Sequence, residues 1–364
     1  FLALIKMIVI PLVLSSIILG ITSAKSVEIL RKMGLIIAPY FIFSTLFAVT
    51  LGIIITNFIN PGSYVSKDII NQISIANIQV EKEAQNISIP DLIVDLIPVS
   101  LAKAELSGNI LAFVILAIFA GVALINLKEE QSKPLIDLAK SLQAFSMKIV
   151  EWAMKLAPYA VFGLICSITI KIGFDAISSM SMYVLTVLFG LFLVLCYYLS
   201  IVYLVSKMKP MEFLEKIKEV QLMAFSTSSS AAVMPLSMKT AEEKLQVPSS
   251  ISKFVIPLAS TVNMDGTALY QACAAIFLAQ VFAIELSFFQ LFILAITTVG
   301  ASIGTPSIPG VGIVILATIL QSIGIPIEGI ALILGVDRIL DMCRTTVNVT
   351  GDLTANLVIK RFVA

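Results

Sequence analysis

Asp337-Arg338-Ile339-Leu340-Asp341-Met342-Cys343-Arg344-Thr345-Thr346-Val347-Asn348-Val349-Thr350-Gly351-Asp352 sets polar side chains at helical spacing inside an apolar run that extends over 328–358. With Asp341 at zero and ~100° per residue, Asp337 falls near −40°, Arg344 near −60°, Thr345 near +40°, Asn348 near −20° and Asp352 near +20°. The six therefore share one face of a helix roughly 100° wide. Ionisable groups at membrane depth are costly, face the protein interior and mark functional sites. A ladder of salt bridges between helices needs the charges but not the amide and hydroxyl oxygens of Asn348 and Thr345, so the stripe reads as a binding surface. The planar fork of Arg344 suits a carboxylate. Asp341, one turn away, suits an ammonium group. The pair reads as a receptor for an amino acid with an additional acidic side chain.

The rest of the chain supplies the membrane. It has 364 residues, 59% apolar and 13% charged, where soluble domains sit near ~45–50% and ~25%. With a mean hydropathy of +1.03, this excludes an ordinary soluble enzyme and a disordered protein. A bilayer core needs roughly 20 apolar residues per helix. Runs of that kind occupy 1–22, 34–58, 90–126, 141–170, 177–205, 254–284 and 328–358. They are continuous, whereas a β-barrel would alternate in segments of about ten. The fold class is therefore an all-α polytopic membrane protein. A net charge of +1 offers nothing to nucleic acid. The absence of histidine excludes His proton relays, His metal sites and Ser-His-Asp triads. Cys166, Cys196, Cys273 and Cys343 are scattered and form no CxxC pair, so neither zinc nor a disulfide framework is expected. Phe1 opens the chain inside an apolar run, and the expectation is an incomplete N-terminus with no signal sequence to read.

Basic residues orient the spans. Lys25, Arg31 and Lys32 join the first two runs, the 59–90 link is net negative, and Lys207, Lys209, Lys216, Lys218, Lys360 and Arg361 form further clusters. These clusters are expected in the cytoplasm. Lys216 and Lys218 precede the segment 219–238, and Lys239, Lys244 and Lys253 follow it, so it enters the membrane and returns. Its middle, Ser226-Thr227-Ser228-Ser229-Ser230, is a poor centre for a spanning helix. A second interrupted segment, 289–325, is broken by Gly304-Thr305-Pro306-Ser307-Ile308-Pro309-Gly310-Val311-Gly312, with both ends external. Two re-entrant hairpins from opposite sides are the expectation. Non-helical backbone at that depth must be buried or line a cavity, and paired interruptions point to a transporter binding site.

The run 254–284 adds Asn263-Met264-Asp265-Gly266-Thr267. Gly266 after an intramembrane aspartate favours local unwinding that frees backbone carbonyls. Four aspartates (265, 337, 341, 352) against two arginines (338, 344) leave about −2 in low dielectric, and uncompensated buried charge costs several kcal/mol. A cation must accompany loading. Carboxylate, amide and hydroxyl oxygens are hard ligands suited to Na⁺, and soft ligands are absent.

These motifs in combination resemble the dicarboxylate/amino acid:cation symporter family, in a prokaryotic form: the serine-rich hairpin 226–230, NMDGT at 263–267, SIGTPSIPG at 302–310 and DMCRTTVNVTGD at 341–352. The resemblance covers essentially the whole chain and lacks the family's first helix. It implies a homotrimeric elevator fold with inverted repeats. Residues 1–33 and 59–170 would form the scaffold. Residues 34–58 and 171–364 would form the transport domain, with hairpin 1, helix 7, hairpin 2 and helix 8. The implied substrate contacts are Arg344 to the side-chain carboxylate, Asp341 to the amino group, Thr345, Asn348 and Thr267, with hairpin backbone near Ser228, Ser230, Ile308 and Gly312. One Na⁺ would use Asp352 with carbonyls of Ala259, Asn263 and Asn348. Another would use carbonyls of Thr261, Ser302, Ile303 and Thr305. A third would use Asp265, Asn263, Ser44, Thr45 and the carbonyl of Phe41. Ser228 stands where archaeal members carry an arginine and Met342 where animal glutamate transporters carry one. Phe41 replaces a tyrosine, and Pro306 and Ser307 replace small residues in the second hairpin.

The resulting expectation is a multi-pass cell-membrane symporter, not an enzyme, that imports aspartate or glutamate with several Na⁺ ions. The alternatives on the same fold are H⁺ coupling, or carriage of cystine, neutral amino acids or C4-dicarboxylates. A dicarboxylate carrier has no need of an amino-binding Asp341, and a neutral amino acid carrier none of Arg344. A channel would need a continuous polar pore, whereas polarity here is concentrated in one buried cluster. An intramembrane enzyme would need a Ser–base pair that the chain lacks.

Overall fold

The computed structural model describes residues 27–64, 110–172, 175–302 and 310–363, with scattered positions between 7 and 22. Among the described residues the regular structure is entirely helical. Helix α1 is Val27–Ile59, followed by a 3-10 turn at Pro61–Tyr64; α2 is Ile110–Asn126, α3 Glu129–Ile172 and α4 Asp175–Ser206. Then come α5 Pro210–Thr227, α6 Ser230–Glu243, α7 Ser249–Val262 and α8 Asp265–Val281. The last three are α9 Phe288–Ser302, α10 Val311–Ser322 and α11 Ile330–Val363.

The boundaries follow local chemistry. Pro210 opens α5, where its missing N–H costs no intrahelical bond. The helix ends at Ser228, in the left-handed region at φ 51°, and the Ser228 N–H donates to the Ala224 carbonyl at 2.9 Å. Ser229 returns to extended backbone, and its hydroxyl accepts from Ala232 N–H to cap α6. The expected interruption of 219–238 is thus a two-residue turn between packed helices, closed at its base by Lys244 and Glu219 at 2.9 Å. Gly310, at φ 83°, opens α10. Ile303, Thr305, Pro306, Ser307 and Ile308 lie outside the described residues.

The break in 254–284 differs from expectation in place. Asn263 and Met264 are the non-helical pair, the Asn263 N–H caps α7 on the Ala259 carbonyl at 2.7 Å, and α8 already begins at Asp265. Gly266 is helical. Its lack of Cβ serves close approach, because a Cβ there would lie 2.7 Å from the Arg344 carbonyl oxygen. Freed backbone therefore belongs to residues 263 and 264, not to 266.

Gly34–Tyr64 and Met180–Ser206 are long and apolar enough to cross a bilayer. Helix α11 is long enough, but its charges break the apolar count. Leu35, Phe43, Phe58, Phe192 and Leu204 are exposed on the outer faces of α1 and α4, an arrangement that suits lipid and would be costly in water. Helix α8 is the opposite case: all of its residues but Gln280 are buried, so it is enclosed all round.

Two large apolar cores result. One gathers α8, α9 and α10 with Tyr183–Tyr198 of α4 and Ile330–Val347 of α11. The other gathers α5, α6 and α7 with Ile37 and Phe41 of α1 and Val349–Ile359 of α11. Helices α1, α4 and α11 pass from one core to the other, and the α7–α8 break lies at the border. The polar stripe of α11 runs across this border, from the first core into the second.

Candidate binding site

Arg344 is fully buried. Its Nη1 donates to Asp337 Oδ1 at 3.0 Å, and Nε and Nη2 donate to the single oxygen Asp341 Oδ1 at 3.2 and 2.9 Å. The guanidinium carbon lies 4.0 Å from the ring centroid of Tyr270, a cation–π arrangement. A Cβ at Gly312 would be 3.0 Å from the guanidinium, so that glycine lets the α10 backbone lie against it. Gln271 Nε2 donates to the Gly312 carbonyl at 3.3 Å and holds that backbone in place. The second oxygen of Asp341 accepts from Gly310 N–H at 3.0 Å, at the start of α10.

Arginine has five N–H donors. Three are used here, and one on each Nη has no partner among the described residues. A carboxylate could therefore dock on the guanidinium without displacing Asp337. The two groups read from sequence as anion and cation receptors are in contact with each other, each neutralising its neighbour.

Asn348, one turn beyond Arg344, joins α11 to α8. Its Oδ1 accepts from Gly266 N–H at 2.7 Å, and its Nδ2 donates to Thr267 Oγ1 at 3.1 Å. Thr345 is buried beside it. Ser228 and Ser230 are buried at the α5–α6 turn, and the Ser228 hydroxyl has no hydrogen-bond partner among the described residues. A polar atom left this way is costly unless a ligand or water meets it.

A second polar cluster lies on the other side of the α7–α8 break. Asp265 accepts from Thr45 Oγ1 at 2.7 Å and from Tyr198 Oη at 2.6 Å. Ser44 Oγ lies 3.5 Å from Asn263 Oδ1 and donates to the Phe41 carbonyl at 3.2 Å. Asn263 Nδ2 donates to Asp352 Oδ1 at 3.2 Å. A chain of contacts thus links Phe41, Ser44, Thr45, Asn263, Asp265 and Asp352, residues 311 positions apart at the extremes by their numbers. Ala259 supplies its carbonyl to the Asn263 cap. Thr261 and Ser302 bond their hydroxyls within their own helices, to Leu258 and Val299.

Among the described residues no three His, Cys, Asp or Glu side chains come together as a metal site. The donors are single carboxylates among amide, hydroxyl and carbonyl oxygens. That chemistry fits a monovalent hard cation better than a transition metal.

Several participants were not assigned a role from sequence. Asp337 lies on the α11 stripe but had no partner there; it is the second anchor of Arg344. Tyr270 follows Thr267 at i+3, a spacing that would have placed it on the same face. Tyr198 has no such signal, since nothing in α4 announces a bond to a residue 67 positions away. Arg338 corrects the buried charge count. Its side chain is 58% exposed, so among the described residues the buried set is Asp265, Asp337, Asp341 and Asp352 against Arg344 alone. The imbalance is larger than the two charges read from sequence.

Comparison with known proteins agrees with this chemistry. The profile described as the sodium:dicarboxylate symporter family matches residues 1–362. The proton/sodium-glutamate symport protein of Bacillus subtilis (strain 168) is 36% identical over 363 residues, covering 100% of this chain and 84% of that protein. The proton/glutamate-aspartate symporter of Escherichia coli (strain K12) is 34% identical over 365 residues, covering 100% and 83%. Excitatory amino acid transporter 3 of Bos taurus is 31% identical over 398 residues, covering 95% and 75%.

Proposed function

The chain belongs to the sodium:dicarboxylate symporter family, and on that footing we propose that it carries aspartate or glutamate across the cell membrane together with Na⁺. The observation that carries this reading is Arg344: a fully buried guanidinium with unused donors on both terminal nitrogens, one turn from Asp341. In this reading the substrate's side-chain carboxylate docks on the free donors of Arg344. Its ammonium takes Asp341 from Arg344 and Gly310. Asn348, Thr345 and Thr267 meet the remaining polar atoms, with backbone and hydroxyls at Ser228, Ser230 and Gly312.

The charge balance supports coupling. Four buried aspartates face one buried arginine, and an acidic amino acid brings a further net negative charge. Loading is favourable only with cations. Two sets of oxygens would hold them: Asp352 with Asn263, Ala259 and Asn348, and Asp265 with Asn263, Ser44, Thr45 and Phe41. A third set would include Thr261 and Ser302. The α5–α6 and α9–α10 pairs would be re-entrant hairpins gating the site from opposite faces. The transport domain, 34–58 with 171–364, would move against a trimeric scaffold of 1–33 and 59–170 in an elevator cycle.

H⁺ coupling is the second reading: the Escherichia coli relative is a proton/glutamate-aspartate symporter, while the Bacillus subtilis relative is named for both proton and sodium. Uptake of L-aspartate and L-glutamate into proteoliposomes, driven separately by a Na⁺ gradient and a pH gradient, tests both. Uphill uptake driven by Na⁺ alone supports the first. Accumulation that follows the pH gradient and ignores Na⁺ replaces it with the second. No uptake of either amino acid under any gradient rejects the substrate class.

A further inference from the structure

Asp341 has two guanidinium neighbours on its own helix. Arg338 at i−3 and Arg344 at i+3 flank it at about +60° and −60°. The Arg344 side is sealed within the protein, on Oδ1. The Arg338 side is open. Arg338 Nη1 lies 3.9 Å from Asp341 Oδ2, the oxygen that also accepts from Gly310 N–H. The Arg338 side chain is 58% exposed, that of Asp341 only 9%. One carboxylate thus bridges a buried cation and an exposed one. The described residues offer Asp341 no other cation, and Ser228 and Met342 supply none.

A carboxylate without positive charge on its open side would require an ammonium and repel any acid that lacks one. Arg338 weakens both effects, because it partly neutralises Asp341 when no amino group is present. We propose that Arg338 is a specificity-determining residue that acts through Asp341, setting how strongly the pocket prefers acidic amino acids over dicarboxylates with no amino group. The inference rests on the reading of this pocket as an acidic amino acid site. Removing the Arg338 charge leaves Asp341 more negative on the side an amine-free acid must approach. It also removes a competitor for the substrate's ammonium. The two effects push the preference the same way. For a pair exposed on one side, the change amounts to roughly three- to tenfold in the ratio of binding constants.

The test uses the purified full chain at saturating Na⁺, with L-aspartate binding measured by calorimetry and succinate used as displacer. Wild type, Arg338→Gln and Arg338→Lys are compared. The expected result is that succinate displaces aspartate from wild type. In Arg338→Gln the succinate-to-aspartate ratio of dissociation constants rises by roughly three- to tenfold, and Arg338→Lys returns it towards wild type. Raising ionic strength narrows the difference, because Arg338 is exposed. An unchanged ratio in Arg338→Gln overturns the inference. So does Arg338→Lys behaving like Arg338→Gln, which would assign the effect to shape, or succinate failing to displace aspartate from wild type. A wild type that binds no aspartate brings down the underlying reading instead, so the two failures are distinguishable.

Discussion

Removing the Arg344 side chain tests the proposed pocket most directly. Arg344→Ala deletes the two free donors of the guanidinium, one on each Nη. A hydrogen bond between charged groups contributes about 1.5–3 kcal/mol, so losing two should cost about 3–6 kcal/mol of substrate binding. At about 1.4 kcal/mol per tenfold, that is roughly two to four orders of magnitude in aspartate affinity. The substitution also strands Asp337 and Asp341, which stand 3.0 and 2.9 Å from the guanidinium. Breaking a buried pair costs about 3–5 kcal/mol of stability, so folding must be checked by thermal unfolding before binding is read. Arg344→Lys is the companion variant: it keeps the charge but loses the planar fork, and it should recover only part of the affinity. Calorimetry with L-aspartate at saturating Na⁺, repeated with L-alanine, separates substrate effects from general damage. The preference for aspartate over alanine should collapse in Arg344→Ala. A folded Arg344→Ala protein that keeps that preference and binds aspartate nearly as wild type does would refute the assignment of the side-chain carboxylate to Arg344.

Three further substitutions follow from close contacts and charges. Gly351→Ala places a Cβ against the Tyr198 hydroxyl and 2.6 Å from Asn263 Nδ2, forcing apart the Tyr198–Asp265 and Asn263–Asp352 bonds; overpacking of this kind costs about 1–3 kcal/mol, and Na⁺-dependent thermal stabilisation should shrink. Gly312→Ala brings a methyl within 3.0 Å of the Arg344 guanidinium and should lower aspartate affinity by roughly three- to tenfold while leaving alanine binding nearly unchanged, since only the guanidinium must shift. Asp352→Asn removes one buried carboxylate from the proposed ion-binding cluster, and the Na⁺ concentration that half-saturates aspartate binding should rise at least about tenfold; an unshifted Na⁺ curve would remove Asp352 from the ion sites.

Helix α11 was legible because a polar stripe on an apolar helix has few physical explanations, and its spacing assigned Asp337, Asp341, Arg344, Asn348 and Asp352 to one face. The α5–α6 turn was legible because serines cannot centre a spanning helix. The α7–α8 break was misplaced by two or three residues. Glycine commonly marks a helix end, but Gly266 is there so that the α8 backbone can reach Arg344 and Asn348, a tertiary requirement with no local signature. Arg338 was counted as buried for a related reason. A helical wheel gives direction but not depth, and a long side chain at the edge of a stripe can carry its head outward. Tyr198 was out of reach altogether, because its bond to Asp265 depends on which helices become neighbours.

The position of the site follows from how the apolar residues divide. Residues Ile330–Val347 of α11 pack in one core and Val349–Ile359 in the other, so the polar stretch from Asp337 to Asp352 runs out of the first core and into the second. The same border holds the α7–α8 break, where backbone polar groups need partners, and the cluster that contains Asp265 and Asp352. Burying carboxylates there is destabilising unless each finds a donor or a cation, and hydrogen bonds from Thr45, Tyr198 and Asn263 meet only part of that need. In the proposed cycle, residual negative charge would make ion binding and substrate binding interdependent. An acidic amino acid entering alone would add to the excess, whereas the same solute entering with cations reduces it. The imbalance of four aspartates against one arginine is therefore the physical source of coupling in the proposed cycle, and Arg344, neutralised by Asp337 and Asp341 until a substrate arrives, is the group through which the two kinds of binding meet.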